Sequence, residues 1–371
     1  MRKVTIIISE IDKALAFEWI AEKLDRSRID LSFILIIRKS PQLEVFLKSL
    51  DIPVHCFYYV SRTDLIFILP QIYKKLKSLR TEAVHCHLLY GSLLGLAAAW
   101  LAGIKKRIYT RHHADFHHRY FPSGVKWDTL CNRLSTQIVA PSNAVKEVLI
   151  QMEGVAPAKI ILIPHGFDLN YFRHPSERLI NALPIKYSVP GHYPVIGVIS
   201  RFTELKGIQY IIPAFVKLLK HHPNALIMFF NARGDYEAQI NELLSLVPNR
   251  NYRIIPFENE LAAVYQLFDI FIQASTDTRI EAFGQTYVEA LASGVPSVFT
   301  LSGIAPDFIE HEKNALVVPF KDSDAIYLSV RRLLEDQNLK EKLIADGWNS
   351  VKERFALQHM IKQLEELYEK G

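Results

Sequence analysis

Three cysteines among 371 residues, Cys56, Cys86 and Cys131, are too few and too widely spaced for a disulfide framework, and their odd number fits free thiols in a reducing compartment. No internal repeat and no low-complexity tract is visible. Neither a G-x-x-x-x-G-K-[ST] loop nor a G-x-G-x-x-G fingerprint occurs, so kinase, ATPase and dehydrogenase readings have nothing to rest on. Charge of one sign is not in large excess: 44 basic against 39 acidic side chains give +5, which admits an anionic ligand or a membrane surface without calling for nucleic acid. A long hydrophobic run is also missing. LLYGSLLGLAAAWLAGI, residues 88 to 104, is uncharged, but seventeen helical residues reach only about 25 Å, short of a hydrocarbon core of roughly 30 Å. Its Gly and Ala content suits a helix packed on a sheet. The start, MRKVTIIISEID, has a short apolar run ending in acids and no small-residue cleavage site, so it reads as a first strand rather than a signal peptide. The expected location is cytoplasmic.

What is present is a regular alternation. Short β-branched runs separated by longer amphipathic segments are the pattern of parallel strands joined by helical crossovers. The first half supplies VTIIIS, LSFILII, AVHCHL, RIYTRH, TQIVAPS and IILIPHG; the second restarts with VIGVISR and continues through ALIMFFN, YRIIPF, DIFIQAS, VPSVFT and NALVVP. Length and pattern together predict two doubly wound α/β domains. The Pro-rich, weakly periodic stretch 165–194 divides them, giving a first domain over 1–170, a linker over 171–194, a second domain over 195–355 and a charged C-terminal helix over 356–371. Open α/β sheets bind ligands beyond the carboxyl ends of their strands, so functional residues are expected there, in a cleft between two facing sheets.

Two such places stand out. After VIGVIS come Arg201 and, five residues on, Lys206 followed by Gly207: a planar fork and a point charge able to grip a diphosphate. After DIFIQAS comes EAFGQTYVEALASGVP, where Glu281 precedes a helix expected to begin near Gly284, Gln285 and Thr286 and to end at Ser293, with Gly294 just past it. Gly284 lets a ligand approach the backbone, and the free N–H groups of Gln285 and Thr286 form an anion site. Glu289, a turn further in, can accept hydrogen bonds from two hydroxyls, as a ribose diol would offer. An acidic first turn and one surface glutamate are the plain structural alternative.

EAFGQTYVE, the upstream SRFTELKG and IYTRHH in the first half together resemble the retaining GT-B glycosyltransferases of family 4, also called glycosyl transferases group 1, over almost the whole chain. The resemblance implies a GT-B fold, two Rossmann-like doubly wound domains facing across a cleft, and transfer of a sugar from a nucleotide-diphosphate donor to a hydroxyl of a glycan or lipid-linked acceptor. It implies surface polysaccharide biosynthesis as the setting and bacteria as the source. Carried over by position, Arg201 and Lys206 hold the diphosphate; Glu281 contacts the transferred sugar with backbone from Phe283, Gly284 and Gln285; Thr286 touches phosphate; Glu289 binds the ribose. Main chain near Phe257 is the implied base contact, and His112 the active-site histidine, with His113 able to replace it one position on. No cofactor and no metal are implied. The sequence departs from the pattern twice: ISEIDKALAFEWIAEKL has no glycine after the first strand, and ARGDYEAQ replaces a double-glycine turn.

Other readings compete. His85, His87 and Asp115 could ligate a metal in a hydrolase, since alternate strand positions share a face. A nucleotide-sugar epimerase would share the fold, as would a nucleotide-sugar-binding protein without turnover. Asp322-Ser323-Asp324 copies a metal-binding Asp-x-Asp but precedes AIYLSVRRLLED, where an N-cap explains it better. The basic runs YKKLKSLR, 73–80, and KKRIYTRHH, 105–113, are expected on solvated faces or, for a lipid-linked acceptor, against an anionic leaflet at the inner face of the membrane.

Overall fold

In a computed structural model of the chain, which describes residues 1–370, two compact units are present. One comprises Met1–Phe167 together with the segment from Leu357 onward, the other Asp168–Ala356.

The first unit holds strands β1 (Arg2–Ser9), β2 (Ile29–Ile37), β3 (Val54–Tyr58), β4 (Ala83–His87), β5 (Lys106–Thr110), β6 (Gln137–Ala140) and β7 (Ile160–Leu162), all parallel, in the order β3-β2-β1-β4-β5-β6-β7. Helices cover both faces of such a sheet, and its central strands are therefore apolar almost throughout, as β1 and β2 are. Strand β3 is one the sequence pattern did not offer. VHCFY lies at the sheet edge, half-buried, and is a short mixed run without the β-branched cluster that marks the central strands. The order in which strands are added reverses between β1 and β4, and the loops after those strands and after β5 all leave from the carboxyl edge of the sheet, the customary binding edge.

Helix Leu89–Leu101, the uncharged run, has thirteen residues and lies on this sheet, so the buried-helix reading holds. A Cβ at Gly91 would sit 3.0 Å from the Ile7 carbonyl oxygen, and one at Gly95 would sit 2.7 Å from Cys86 Sγ. Small residues here permit the contact. Among the described residues no helix is long and apolar enough to cross a membrane. Glu10, which follows β1 in place of a glycine, takes a left-handed conformation (φ 51°), and its carboxylate receives the Tyr59 hydroxyl.

The second unit holds β8 (Val195–Ile199), β9 (Leu226–Phe230), β10 (Tyr252–Ile255), β11 (Ile270–Gln273), β12 (Ser297–Phe299) and β13 (Leu316–Val317) in the parallel order β10-β9-β8-β11-β12-β13. These are the six strands expected, and the reversal falls between β8 and β11. Its core is aliphatic and aromatic, with Ile212, Phe229 and Val298 fully buried. ARGDYEAQ keeps a single glycine where one is needed: a Cβ on Gly234 would fall 2.0 Å from the Phe202 carbonyl oxygen. Asp322 caps helix Ser323–Glu335 by accepting from the Ala325 N–H at 2.8 Å, as expected.

Two expectations need correction. Residues 171–194 are not an irregular linker: helices Leu169–Arg173 and Glu177–Lys186 occupy much of the segment and belong to the second unit, where Phe172 packs edge-on to Tyr265 and Tyr187 to Phe230. Each helix is short and the second contains Pro184, so neither carries enough periodicity to be read. The KKRIYTRHH run is not a solvated basic face either. Lys106 is buried with its ammonium on the Lys370 carbonyl, Arg107 donates to the Leu134 and Ile104 carbonyls, and Arg111 is only 2% exposed.

The terminal helix Leu357–Glu369 belongs to the first unit, buried through Leu357, Met360, Leu364 and Tyr368. Tyr368 and His85 hydrogen-bond at 2.7 Å in the interior. Tyr368→Phe leaves His85 Nδ1 without its partner and should destabilise the first unit by about 1 to 3 kcal/mol. Urea unfolding followed separately by probes in the two units should show the loss in the first only.

Candidate active site

The residues read as donor contacts lie on the second unit, and most gather at the reversal of its sheet. The loop after β8 turns through Glu204–Lys206 into Gly207, at φ 69°, where a Cβ would lie 1.8 Å from the Ala274 carbonyl oxygen. Only glycine fits both the dihedral and the space. The Thr276 N–H donates to the Leu205 carbonyl at 3.0 Å, so the loops following β8 and β11 are stitched together.

Lys206 and Glu281 then meet in an ion pair from these two loops. The same carboxylate oxygen accepts from the Ser275 hydroxyl at 2.9 Å and from Gln273 Nε2 at 3.3 Å, while Gln273 Oε1 accepts from the Thr286 hydroxyl. A continuous polar chain therefore runs from Lys206 through Glu281 and Gln273 to Thr286. Glu281 is 8% exposed. Burial alone would raise its pKa, but Lys206, the Ser275 hydroxyl and the charge of Arg201 outweigh it and hold the carboxyl below its ordinary value. Arg201 itself is exposed.

Gly284, at φ 88°, starts helix Gln285–Ala292 with no side-chain cap, leaving the N–H groups of the first turn and the positive end of the helix for an anion. Helix start, C-cap Ser293 and left-handed Gly294 stand where the sequence put them. Phe283 is turned into the core against Phe355, so only its backbone is presented. The loop before the helix is braced from behind: Ile304 N–H donates to the Phe283 carbonyl at 2.9 Å and the Glu281 N–H to Ser302 Oγ at 3.1 Å.

Glu289 is buried and accepts the Tyr265 hydroxyl at 2.9 Å on one oxygen. Tyr265 and Gln273, its counterpart for Thr286, escaped the sequence reading because each reaches the site from another element. Burial pushes the Glu289 carboxyl up to about 7, with the Tyr265 bond opposing in part. Phe257 follows β10, its side chain 68% exposed, and stands apart from the polar chain. Its neighbour Glu258 is taken by Lys186 and Tyr187 at 2.8 and 2.5 Å.

His112 lies on the first unit, after β5. Its Nε2 is 3.1 Å from His87 Nδ1 and its ring stacks on His165 with centroids 6.2 Å apart. Burial first, then the neighbouring histidines, pushes His112 down to about 3, and His165 falls to about 4 by burial. His112 is therefore a neutral hydrogen-bonding group at physiological pH. His113 turns the other way, toward Asp128 at 3.3 Å. The hydrolase set of His85, His87 and Asp115 does not assemble: His85 uses both nitrogens on Tyr368 and Thr110, His87 meets His112, and Asp115 pairs with Arg119.

Two parallel sheets of this order with alternating helices define a GT-B architecture, and the fold is similar to that of Anabaena HepE in complex with UDP-glucose, with a TM-score of 0.84 and 19% identity over 99% of each chain. Family models match on both units, Glycosyltransferase Family 4 at residues 20–171 and Glycosyl transferases group 1 at residues 181–349. The chain belongs to the glycosyltransferases of this group 1, family 4 type. It is 25% identical over 273 residues to alpha-monoglucosyldiacylglycerol synthase of Acholeplasma laidlawii, covering 68% of this chain and 67% of that one. To UDP-Gal:alpha-D-GlcNAc-diphosphoundecaprenol alpha-1,3-galactosyltransferase of Escherichia coli it is 23% identical over 301 residues, 76% of this chain and 75% of that one. Matched stretches span between 53% and 75% of the length of such curated relatives.

Between about pH 4.5 and 7 the folded protein keeps a proton on Glu289 that the unfolded chain has released, so this group's contribution to stability is lost as pH rises through that window. Glu289→Gln stays neutral. Urea unfolding at pH 5 and pH 8 should show the variant gaining on the parent protein at the higher pH by about 2 to 4 kcal/mol.

Proposed function

We propose that the chain transfers a sugar from a nucleotide-diphosphate donor to a hydroxyl of a glycan or lipid-linked acceptor, with retention of anomeric configuration, in the synthesis of a surface polysaccharide or glycolipid. The observation that carries this reading is the polar chain Lys206–Glu281–Gln273–Thr286 at the reversal of the second sheet, beside a helix that starts on a glycine. Cations, an uncapped helix N-terminus and a shielded carboxylate are what a departing diphosphate and a sugar require together. Supporting it, a structural relative was solved with UDP-glucose, and two relatives bear names that specify a glycolipid product and a diphosphoundecaprenol-linked acceptor.

Arg201, Lys206 and the N–H groups of Gln285 and Thr286 take the diphosphate and stabilise the charge that grows on it. No metal is required for that step. Glu281, kept ionised by Lys206, accepts from hydroxyls of the transferred sugar, along with the backbone of Phe283 and Gly284. His112, the histidine the family resemblance assigns to the active site, is a neutral hydrogen-bonding group on the first unit. Glu289 accepts the ribose hydroxyls, with Tyr265 fixing its rotamer, and the backbone near Phe257 meets the base. The acceptor hydroxyl attacks from the face the diphosphate leaves, and the leaving oxygen takes the proton.

Contact with an anionic membrane is part of this proposal. Ile66 and Phe67, at the start of helix Leu65–Leu79, are 72% and 69% exposed, Val60 in the segment before it is 85% exposed, and Lys74 and Lys77 are exposed further along the helix. An apolar tip backed by cations suits a leaflet with negative headgroups. Co-sedimentation with vesicles should increase with anionic lipid and fall in Phe67→Ser; binding that ignores lipid charge would refute it.

Lys206→Ala should weaken nucleoside-diphosphate binding roughly 10- to 150-fold, the loss of one charge-assisted contact. Glu281→Gln should lower kcat far more than nucleotide affinity. Calorimetry with UDP, GDP and ADP on both variants checks this and identifies the base; unchanged affinity in Lys206→Ala removes the diphosphate assignment. Free nucleotide released from a nucleotide sugar distinguishes a transferase from an epimerase, which interconverts the sugar.

A further inference from the structure

A second cluster of chemistry-bearing side chains lies on the first unit and is used by none of the steps above. The loop after β5 carries Arg111 and His113, helix Phe116–Tyr120 carries His117 and helix Val125–Leu134 carries Asp128. His113 Nε2 is 3.3 Å from Asp128 Oδ1, His117 Nδ1 is 2.6 Å from Asp128 Oδ2, and the imidazole centroids are 3.9 Å apart. One donor atom from each of the three residues lies within 4.8 Å of the others.

The charges around this cluster do not balance. Arg111 is the guanidinium of the network, and both Asp128, at 3.0 Å, and Glu153 pair with it. Two carboxylates on one guanidinium leave one formal negative charge in the interior, where an unpaired charge is costly. His118 approaches Glu153, at 3.2 Å, and Asp115 is matched by Arg119, so with the imidazoles neutral the remaining charge is left to a proton on one of them or to a bound cation. Tautomers sharpen the point. His113 Nδ1 lies 3.3 Å from the Ala114 carbonyl, and if that nitrogen carries the hydrogen, the lone pair of Nε2 faces a carboxylate oxygen. In that tautomer two acceptors face each other and a cation fits between them, whereas in the other Nε2–H donates to Asp128. A ligating histidine commonly has this arrangement, one nitrogen on a backbone carbonyl and the other on the metal.

We propose that His113, His117 and Asp128 form a binding site for one divalent late first-row metal ion, with Zn²⁺ the natural occupant. Two imidazoles and one carboxylate are the ligand set of open tetrahedral zinc sites. Bonds of about 2.0 to 2.1 Å imply tetrahedral edges of about 3.3 Å, the spacing already found between His113 and Asp128. The fourth position opens on a cavity of about 210 Å³ lined by all three ligands with Leu88, Arg111 and His112, which leaves room for water or a hydroxyl. Side-chain exposures of 23% and 12% at the two histidines give an ion a way in. Arg111 Nη1 lies 3.0 Å from the same Asp128 Oδ1 that His113 faces, and its Nε donates to the His113 carbonyl at 3.1 Å, so the guanidinium holds both the carboxylate and the His113 backbone in place. An ion here ties the loop that carries His112 to two helices.

The test uses the full, untagged chain stripped with chelator. Zn²⁺ titrated in competition with a chromophoric chelator should bind at one equivalent per chain, and Co²⁺ should give the visible absorption of a tetrahedral centre. His113→Ala and His117→Ala should each weaken Zn²⁺ at least 100-fold, more than the loss of an outer-sphere partner, whereas His118→Ala should leave it within a few-fold. Asp128→Asn strips Arg111 of a buried partner and can fail to fold, so the two histidine variants, checked by circular dichroism, decide the matter. Absence of a tight equivalent in the parent chain overturns the proposal and leaves a proton as the balancing charge. An equivalent that survives in the His113→Ala/His117→Ala double variant overturns it too.

Discussion

The ion pair of Lys206 with Glu281 is the constraint around which the second unit's site is arranged. A carboxylate only 8% exposed stays ionised there because an ammonium from the loop after β8 and a serine hydroxyl and an amide from the end of β11 all face it. That requirement explains the backbone around it. Gly207 lets the loop after β8 press against Ala274, and Ser302 holds the Glu281 backbone. Neither loop could be moved without leaving a buried charge uncompensated.

Glu289 shows the opposite outcome eight residues away. No cation is paired with it, so burial dominates and the proton is retained up to about pH 7. Two carboxylates on either side of an uncapped helix N-terminus are thus driven apart, Glu281 below its ordinary pKa and Glu289 above it. On the first unit the same physics acts on imidazoles: packed together and buried, His85, His87, His112 and His165 are held neutral. They can hydrogen-bond and orient, but they do not supply positive charge.

Much of the fold was legible because parallel strands covered on both faces are rich in apolar and β-branched residues, and twelve of the thirteen strands carry such a run. VHCFY escaped because it is a short, half-buried run with His55 inside it and no β-branched cluster. The helices within 171–194 escaped because they are short and stabilised by packing on the sheet rather than by their own pattern. At the site, Glu281, Gly284 and Glu289 were legible since a glycine before a helix and an acid in an apolar run are local oddities. Tyr265, Gln273 and Ser275 were not, because nothing near them in sequence distinguishes a buried polar residue that serves the site from one that serves the core. The histidines were misjudged in a related way: spacing suggested His85 and His87 as a chelating pair, yet one is bonded to the C-terminal Tyr368 and the other to His112.

By itself, then, the sequence determined the strand and helix pattern, the two-sheet architecture and the positions of glycine and charge at the strand ends, since each follows from interactions within a few residues. Tertiary structure alone decided which carboxylate would be ionised, which histidine would turn toward its fellows and which toward Asp128, and which basic run would lie in the interior. Ionisation and partner choice depend on desolvation and on charges brought from distant segments, and those are fixed only when the chain has packed.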